Sequence, residues 1–229
     1  MMKEDELEKK LGVKLSQRDL LKEALTHRSY LNERPDWPHA HNERLEYLGD
    51  AVLELAVTDS LFRRFPQMPE GQLTVLRAAL VNYQMLSRIA LALGLEQHIY
   101  MSRGEARDTG KAREVILANA IEAVIGAIYL DAGMNAAFVL VRKFVVSHID
   151  EVLEKKTYRD PKSELQEIVQ EKMKLTPHYK VLDEHGPAHQ KTFRVGVFFD
   201  GERAAEGTGS SKQEAETEAA RAALEAYRK

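Results

Sequence analysis

The hydrophobic period of this chain changes once, and that change restricts the fold more than any other feature. From Glu4 to about Glu154 apolar residues recur at spacings of three and four, as in Leu45, Leu48, Val52 and Leu55 and in Leu73, Leu76 and Leu80. That spacing lines one face of an α-helix, and no strand-like alternation of any length interrupts it. Pro35 and Pro38 around Trp37, then Pro66 and Pro69, then the polar stretch from Gly104 to Gly110 cut the run into separate helices. Residues 1–155 therefore read as an all-helical domain.

At Lys155-Lys156-Thr157-Tyr158-Arg159-Asp160-Pro161 the texture turns charged and polar, which sets a linker at about 156–159 and a second domain at 160–229. Asp160-Pro161 reads as an N-cap followed by proline at the first helical position, opening a helix through about Met173. Three runs rich in Val, Phe and Thr follow, at Tyr179–Leu182, Lys191–Phe199 and Arg203–Gly207. Asp200-Gly201 between two of them is a hairpin signal. Ser210 and Ser211 then cap a last helix, Lys212–Tyr227. The second domain is expected to be α-β-β-β-α.

The chain has 229 residues, 44% hydrophobic, which suits one large or two modest domains with a packed core. It contains no cysteine, which removes disulfides, zinc ribbons, iron–sulfur clusters and thiol nucleophiles. The start, Met1-Met2-Lys3-Glu4-Asp5-Glu6, is charged and lacks the apolar core of a signal peptide. The longest uninterrupted apolar run, Ala123–Leu130, falls short of the roughly 20 residues a bilayer requires. The expectation is a soluble cytoplasmic protein with no membrane partner. A net charge of −3, spread as 21 basic against 23 acidic residues up to Lys156 and 12 against 13 beyond it, argues on its face against a polyanion.

The most informative stretch is His41-Asn42-Glu43-Arg44-Leu45-Glu46-Tyr47-Leu48-Gly49-Asp50. At ~100° per residue, Glu43, Glu46 and Asp50 fall within about 60° of one another, with Leu45, Leu48, Val52 and Ala56 opposite. Like charges at that spacing cost a few tenths of a kcal/mol each unless a cation sits among them, and a solvated acidic face is the plain alternative. Gly49 stands mid-helix at a cost of about 1 kcal/mol relative to Ala, which points to close approach by something. A second helix, Val115–Leu130, carries one polar pair, Asn119 and Glu122, in a nearly apolar context. A lone carboxylate there must be paired, protonated or metal-bound, and Gly126 leaves room beside it. If the two helices pack together, Glu46, Asp50, Asn119 and Glu122 converge as oxygen donors. No His or Cys shares those faces, so Mg²⁺ or Mn²⁺ fits better than Zn²⁺. Such a site activates water and clamps the oxygens of a phosphodiester.

In the second domain, Ser163-Glu164-Leu165-Gln166-Glu167 lies in the first turns of a helix, Gly186-Pro187-Ala188-His189 in a strand connection, and Gly207-Thr208-Gly209-Ser210-Ser211-Lys212 at the opening of the last helix. Singly these are caps and turns. Together they make a phosphate cradle at a helix N-terminus, with Gln166, Glu167 and His189 suited to the 2′-hydroxyls of a shallow RNA minor groove. The charge total then matters less than its placement: Lys162, Lys191 and Lys212 on one face, with Glu214, Glu216 and Glu218 free to turn elsewhere.

Over essentially its whole length the sequence resembles bacterial ribonuclease III. Asn42-Glu43-Arg44-Leu45-Glu46-Tyr47-Leu48-Gly49-Asp50-Ala51-Val52-Leu53 is similar to that family's signature, and Leu25-Thr26-His27-Arg28-Ser29-Tyr30 and Leu76-Arg77-Ala78-Ala79-Leu80-Val81-Asn82 to two further segments. Residues 160–167, 186–189 and 207–212 are similar to its double-stranded RNA-binding domain. The resemblance implies an Mg²⁺-dependent endoribonuclease, with Mn²⁺ able to substitute, that cuts both strands of double-stranded RNA and leaves 5′-phosphate and 3′-hydroxyl ends with short 3′ overhangs. It implies processing of ribosomal RNA precursors and structured messenger RNAs, by a homodimer packed through the signature helices. Asp50 and Glu122 match the critical carboxylates, Glu46 and Asn119 further metal ligands, Glu43 the first acidic signature residue and Glu70 an acidic residue linked to metal binding. Gln166, Glu167, His189, Ser211, Lys212 and Gln213 match the RNA-binding patches.

Two positions depart from the family pattern. Asn119 stands where Asp is usual, a neutral and weaker oxygen ligand. Gln213 stands where a second Lys is usual, so one phosphate contact is lost and salt dependence becomes shallower. Asn119 keeps a second reading open, a catalytically weak scaffold dimer that binds duplex RNA. A helical phosphohydrolase of small nucleotides would leave the second domain unexplained. The dimer expectation rests on the apolar Leu45, Leu48 and Val52 stripe together with Trp37 and Tyr47 as exposed aromatics.

Overall fold

The computed structural model describes residues 3–155, 161–187 and 191–228. The chain divides into two compact units, residues 1–158 and 159–229. The linker expected at 156–159, the Asp160 cap and His189 lie outside the described residues.

The first unit is helical: α1 (Lys3–Leu11), α2 (Arg18–Ala24), α3 (Arg28–Glu33), α4 (Glu43–Arg64), α5 (Glu70–Val81), α6 (Tyr83–Ala92), α7 (Lys111–Phe144) and α8 (Ile149–Lys155). Among its described residues the only β pairing is a single bridge between Thr26 and Tyr100. Helix α7 is the axis. Leu117, Ile121, Val124, Ile125 and Ile128 are all buried within it, and α2, α4 and α6 pack around it. A helix enclosed this way must be apolar nearly all round. For the same reason the stretch Lys111–Glu154 is long and apolar enough, by length and composition, to cross a membrane. The burial of these side chains by neighbouring helices accounts for the composition. Gly133 breaks α7 with φ 81° and ψ 178°, a conformation essentially restricted to glycine. Asp131, just before the break, accepts backbone N–H groups of Ser16 and Gln17 at 2.8 and 2.7 Å, which fixes the start of α2.

The face that α4 buries is wider than the heptad-like stripe of the sequence. Leu45 and Val52, expected as part of a dimer seam, are instead buried in the core of the subunit, together with Ala56, Gly49, Leu53, Val57 and Leu61. Leu55 is 51% exposed, as are Tyr47 at 83% and Phe62 at 70%. Trp37 is not an exposed aromatic. It packs among Tyr30, His39 and Tyr100 and donates its indole N–H to Thr26.

The second unit is α9 (Pro161–Met173), β1 (His178–His185), β2 (Thr192–Phe199), β3 (Glu202–Gly209) and α10 (Lys212–Arg228), with an antiparallel sheet in the order β1-β2-β3. Asp200 and Gly201 both take positive φ, 48° and 85°, the requirement of a two-residue type I′ hairpin. The core joins Leu165 and Val169 of α9 to Val197 and Phe199 of β2 and to Ala219, Ala220, Ala223 and Leu224 of α10. Small residues let α10 lie against the sheet: a Cβ on Gly207 would come within 2.1 Å of the Ala219 nitrogen.

Candidate active site and RNA interface

The site begins with a helix crossing. Gly49 of α4 and Gly126 of α7 meet so closely that a Cβ on Gly49 would lie 1.8 Å from the Glu122 carbonyl oxygen, and one on Gly126 2.3 Å from the Leu45 carbonyl oxygen. Glycine is the only residue both backbones tolerate, and the close approach signalled by mid-helix Gly49 is therefore α7 itself. The crossing brings Glu46 and Asp50, on one side, to Asn119 and Glu122 on the other.

The electrostatics follow from that placement. Glu122 is half-buried on an apolar helix, and its carboxyl is pushed up to about 8, first by burial and then by the charges of Asp50 and Glu46. Burial also raises Glu46, reinforced by Glu43 and Asp50, while a side-chain hydrogen bond with Asn119 acts in the opposite direction. Asp50 is exposed at the rim. Among the described residues no three His, Asp or Glu side chains close tightly enough to form a ready chelate. The donor set is all oxygen, and a carboxyl raised to about 8 by burial and by the charges of Asp50 and Glu46 is a group whose ionised form a cation would stabilise. Those two properties fit a hard divalent ion.

Glu43 acts on Glu46 but, like Glu70, is not among the charges acting on Glu122. Glu43 opens α4, exposed, with Arg28 at 3.4 Å and His41 at 3.8 Å. Glu70 opens α5, accepts a hydrogen bond from Thr74 at 2.8 Å, and is not among the charges acting on Glu122.

In the second unit Gln166 and Glu167 are exposed on α9, and Lys212 and Gln213 on the first turn of α10. Lys212 lies over the Phe193 ring at 5.9 Å. Ser211 is the N-cap: its hydroxyl accepts the Glu214 N–H at 3.1 Å, and the Glu214 carboxylate accepts the Ser210 N–H at 2.7 Å. The Ser210 hydroxyl donates to the same carboxylate, and with the Ser210 N–H it holds the Glu214 carboxyl below its usual range. The acidic residues of α10 are paired rather than free. Glu214 folds back over the helix start, Glu216 holds Lys162 at 2.5 Å, and Glu218 pairs with Arg221. Lys191 is paired with Glu184 at 3.3 Å. Hairpin and cap chemistry place these residues, but their ion pairs depend on which neighbouring strands and helices come together.

The family model for ribonuclease-III-like proteins matches residues 17–149, and that for the double-stranded RNA binding motif matches 161–227. The chain belongs to the ribonuclease III family. It is 46% identical over 218 residues to the ribonuclease 3 of Pelotomaculum thermopropionicum, covering 95% of this chain and 90% of that one. To the ribonuclease 3 of Geobacillus kaustophilus it is 45% identical over 223 residues, covering 97% and 90%. The solved nuclease domain of ribonuclease III from Campylobacter jejuni is 40% identical, with a TM-score of 0.58 over 65% of this chain and 97% of that domain. A second structure of that domain, 41% identical with a TM-score of 0.57 over 62% of this chain and 96% of that one, describes flexibility in a region involved in its dimer formation. The present chain is thus an endoribonuclease of double-stranded RNA, with its nuclease domain ahead of its duplex-binding domain.

Proposed function

We propose that Glu46, Asp50, Asn119 and Glu122 hold the divalent cation of this nuclease, Mg²⁺ with Mn²⁺ able to substitute, and that Asp50 and Glu122 are its catalytic residues. The observation that carries the assignment is the close crossing of α4 and α7 at Gly49 and Gly126, which sets Glu46 and Asp50 against Asn119 and Glu122. When bound, such a cation acidifies water and stabilises charge on a phosphodiester. Glu122 and Glu46 supply the negative charge that retains it, the Gly49–Gly126 contact fixes their separation, and exposed Asp50 faces the incoming backbone. Glu43 and Glu70 contribute outer negative charge. The second unit supplies duplex affinity through Gln166, Glu167, His189, Ser211, Lys212 and Gln213.

The same reading makes the enzyme a homodimer through α4. Tyr47, Ala51, Leu55, Thr58 and Phe62 recur at intervals of four, four, three and four on one exposed stripe, the spacing of a helix seam. Paired subunits would cut the two strands, leave 5′-phosphate and 3′-hydroxyl ends with short 3′ overhangs, and process ribosomal RNA precursors and structured messenger RNAs in the cytoplasm. Digestion of a perfect RNA duplex in Mg²⁺ with analysis of both strand ends tests this. The expected products are staggered duplexes with those ends. Blunt products or 3′-phosphates would refute the proposal.

A further inference from the structure

We propose that Trp37 is a positioning residue of this nuclease: its indole N–H, bonded to Thr26, anchors the start of α4 and so holds Glu46 where the cation site needs it. The proposal rests on the reading of Glu46, Asp50, Asn119 and Glu122 as that site.

Helix α4 does not secure its own beginning. An N-cap residue normally takes an extended backbone and accepts a first-turn N–H with its side chain. Asn42, at the N-cap, has φ −76° and ψ −9° and makes no such bond. Its anchor is tertiary instead. Asn42 is buried, and its backbone N–H donates to the Thr26 carbonyl at 2.9 Å. Its own carbonyl accepts the Glu46 N–H at 2.8 Å. The position of Thr26 is therefore passed to Glu46 through two backbone hydrogen bonds.

Thr26 is wholly buried and held on every side. The Tyr100 N–H donates to the Leu25 carbonyl at 2.8 Å, and the Tyr100 carbonyl accepts the His27 N–H at 2.9 Å. The Thr26 hydroxyl donates to the Lys22 carbonyl at 2.7 Å and accepts the Trp37 indole N–H at 3.2 Å. Trp37 comes from the loop between α3 and α4 and sits against Tyr30 and Tyr100, with ring centroids 5.2 and 4.8 Å away. An indole N–H can only donate, and leaving it unpaired among these rings would be costly, so the loop is seated on the Thr26 hydroxyl. One residue thus ties down both segments, the loop by its side chain and the helix start by its backbone. Loss of the Trp37–Thr26 bond frees the loop that enters α4, and the uncapped Asn42 has nothing to replace it.

Steady-state cleavage of a duplex RNA and Mg²⁺ calorimetry on the full chain test this. Trp37→Phe keeps an aromatic ring without the donor, and Thr26→Val keeps the side-chain shape without the hydroxyl. In each, kcat should fall about tenfold with KM unchanged, less than the ~100-fold of a displacement near 1 Å. Mg²⁺ should bind about tenfold more weakly, as when a group that orients a metal ligand is lost. The double variant should match the single ones, since both break the same bond. Thr26→Ser, which retains the hydroxyl, should keep wild-type values. Val141→Ala, a core truncation beyond Gly133, should lower stability and leave kcat and Mg²⁺ affinity alone. Thr26→Val carries the test by itself if the smaller ring at position 37 unfolds the protein. Wild-type kcat and Mg²⁺ affinity in these variants, compounding losses in the double variant, or the same losses in Thr26→Ser or Val141→Ala would overturn the role of Trp37. Glu122→Gln keeps that failure apart from failure of the site reading. If Glu122→Gln loses Mg²⁺ while Thr26→Val and Trp37→Phe bind it normally, the site stands and the role of Trp37 falls. If Glu122→Gln binds Mg²⁺ as the wild type does, the site reading falls and this proposal with it.

Discussion

Replacing Gly49 by alanine should damage catalysis far more than stability. The added Cβ would lie 1.8 Å from the Glu122 carbonyl oxygen, 2.6 Å from its carbonyl carbon and 3.0 Å from the Gly126 nitrogen. Both partners are backbone, so no side-chain rotation relieves the overlap. Reaching even a tight contact of about 3 Å requires α4 and α7 to part by ~1.2 Å at the point where Glu122 sits. Overpacking of this kind costs ~1–3 kcal/mol, and alanine in place of glycine returns about 1 kcal/mol of helix propensity, leaving a net loss of ~0–2 kcal/mol. The catalytic effect is larger, because displacing a reacting group by about 1 Å can cost ~100-fold in rate. Urea unfolding measures the first quantity and single-turnover cleavage of a duplex RNA under saturating Mg²⁺ the second. Duplex binding, carried by the second unit, should stay at the wild-type level. A Gly49→Ala protein that cleaves at the wild-type rate would refute the idea that this crossing sets the catalytic geometry.

Four further outcomes are expected. The Glu122 carboxyl is raised from an ordinary 4.5 to about 8, so the cation-free folded state keeps a proton that the unfolded chain has lost. Stability in EDTA should therefore fall as pH rises from about 4.5 to 8, and Glu122→Gln should flatten that slope. Cation binding must expel the same proton, so Mg²⁺ affinity by calorimetry should rise by up to about tenfold per pH unit below 8 and level off above it. Phe62→Asp, on the exposed α4 stripe, should shift the sedimentation coefficient to that of a monomer, and an unchanged dimer would move the interface elsewhere. Asp131→Ala removes the acceptor of two backbone N–H groups at the start of α2 and should cost ~1–2 kcal/mol in urea unfolding, with little effect on duplex binding.

The elements were legible because local chemistry determines them. Asp200-Gly201 allows the positive φ pair its hairpin needs, and the three-and-four spacing places α4 and α7. Glu122 stood out because an isolated carboxylate in an apolar helix requires an explanation, and Gly49 because glycine mid-helix does. What remained illegible depends on which elements meet. The same periodicity that lined up Leu45, Val52 and Ala56 included Leu55, yet Leu55 is exposed, because the Gly49–Gly126 contact rotates the buried face of α4 toward α7. Trp37 looked like a surface aromatic until Tyr30 and Tyr100 closed around it. Glu216 looked free because its partner, Lys162, approaches only when α9 and α10 come together. Glu70, set in α5 apart from the four-residue cluster, had no local signal to separate it from the acidic residues that do converge.

The central claim is that Glu122, with Asp50 and Glu46, holds the cation that cuts RNA. Single-turnover cleavage and equilibrium binding of one labelled duplex, measured in parallel on wild type and Glu122→Gln in Mg²⁺, test it most directly. The account requires cleavage to be lost while duplex affinity stays within the scatter of the wild-type value. A Glu122→Gln protein that cuts at the wild-type rate would contradict it.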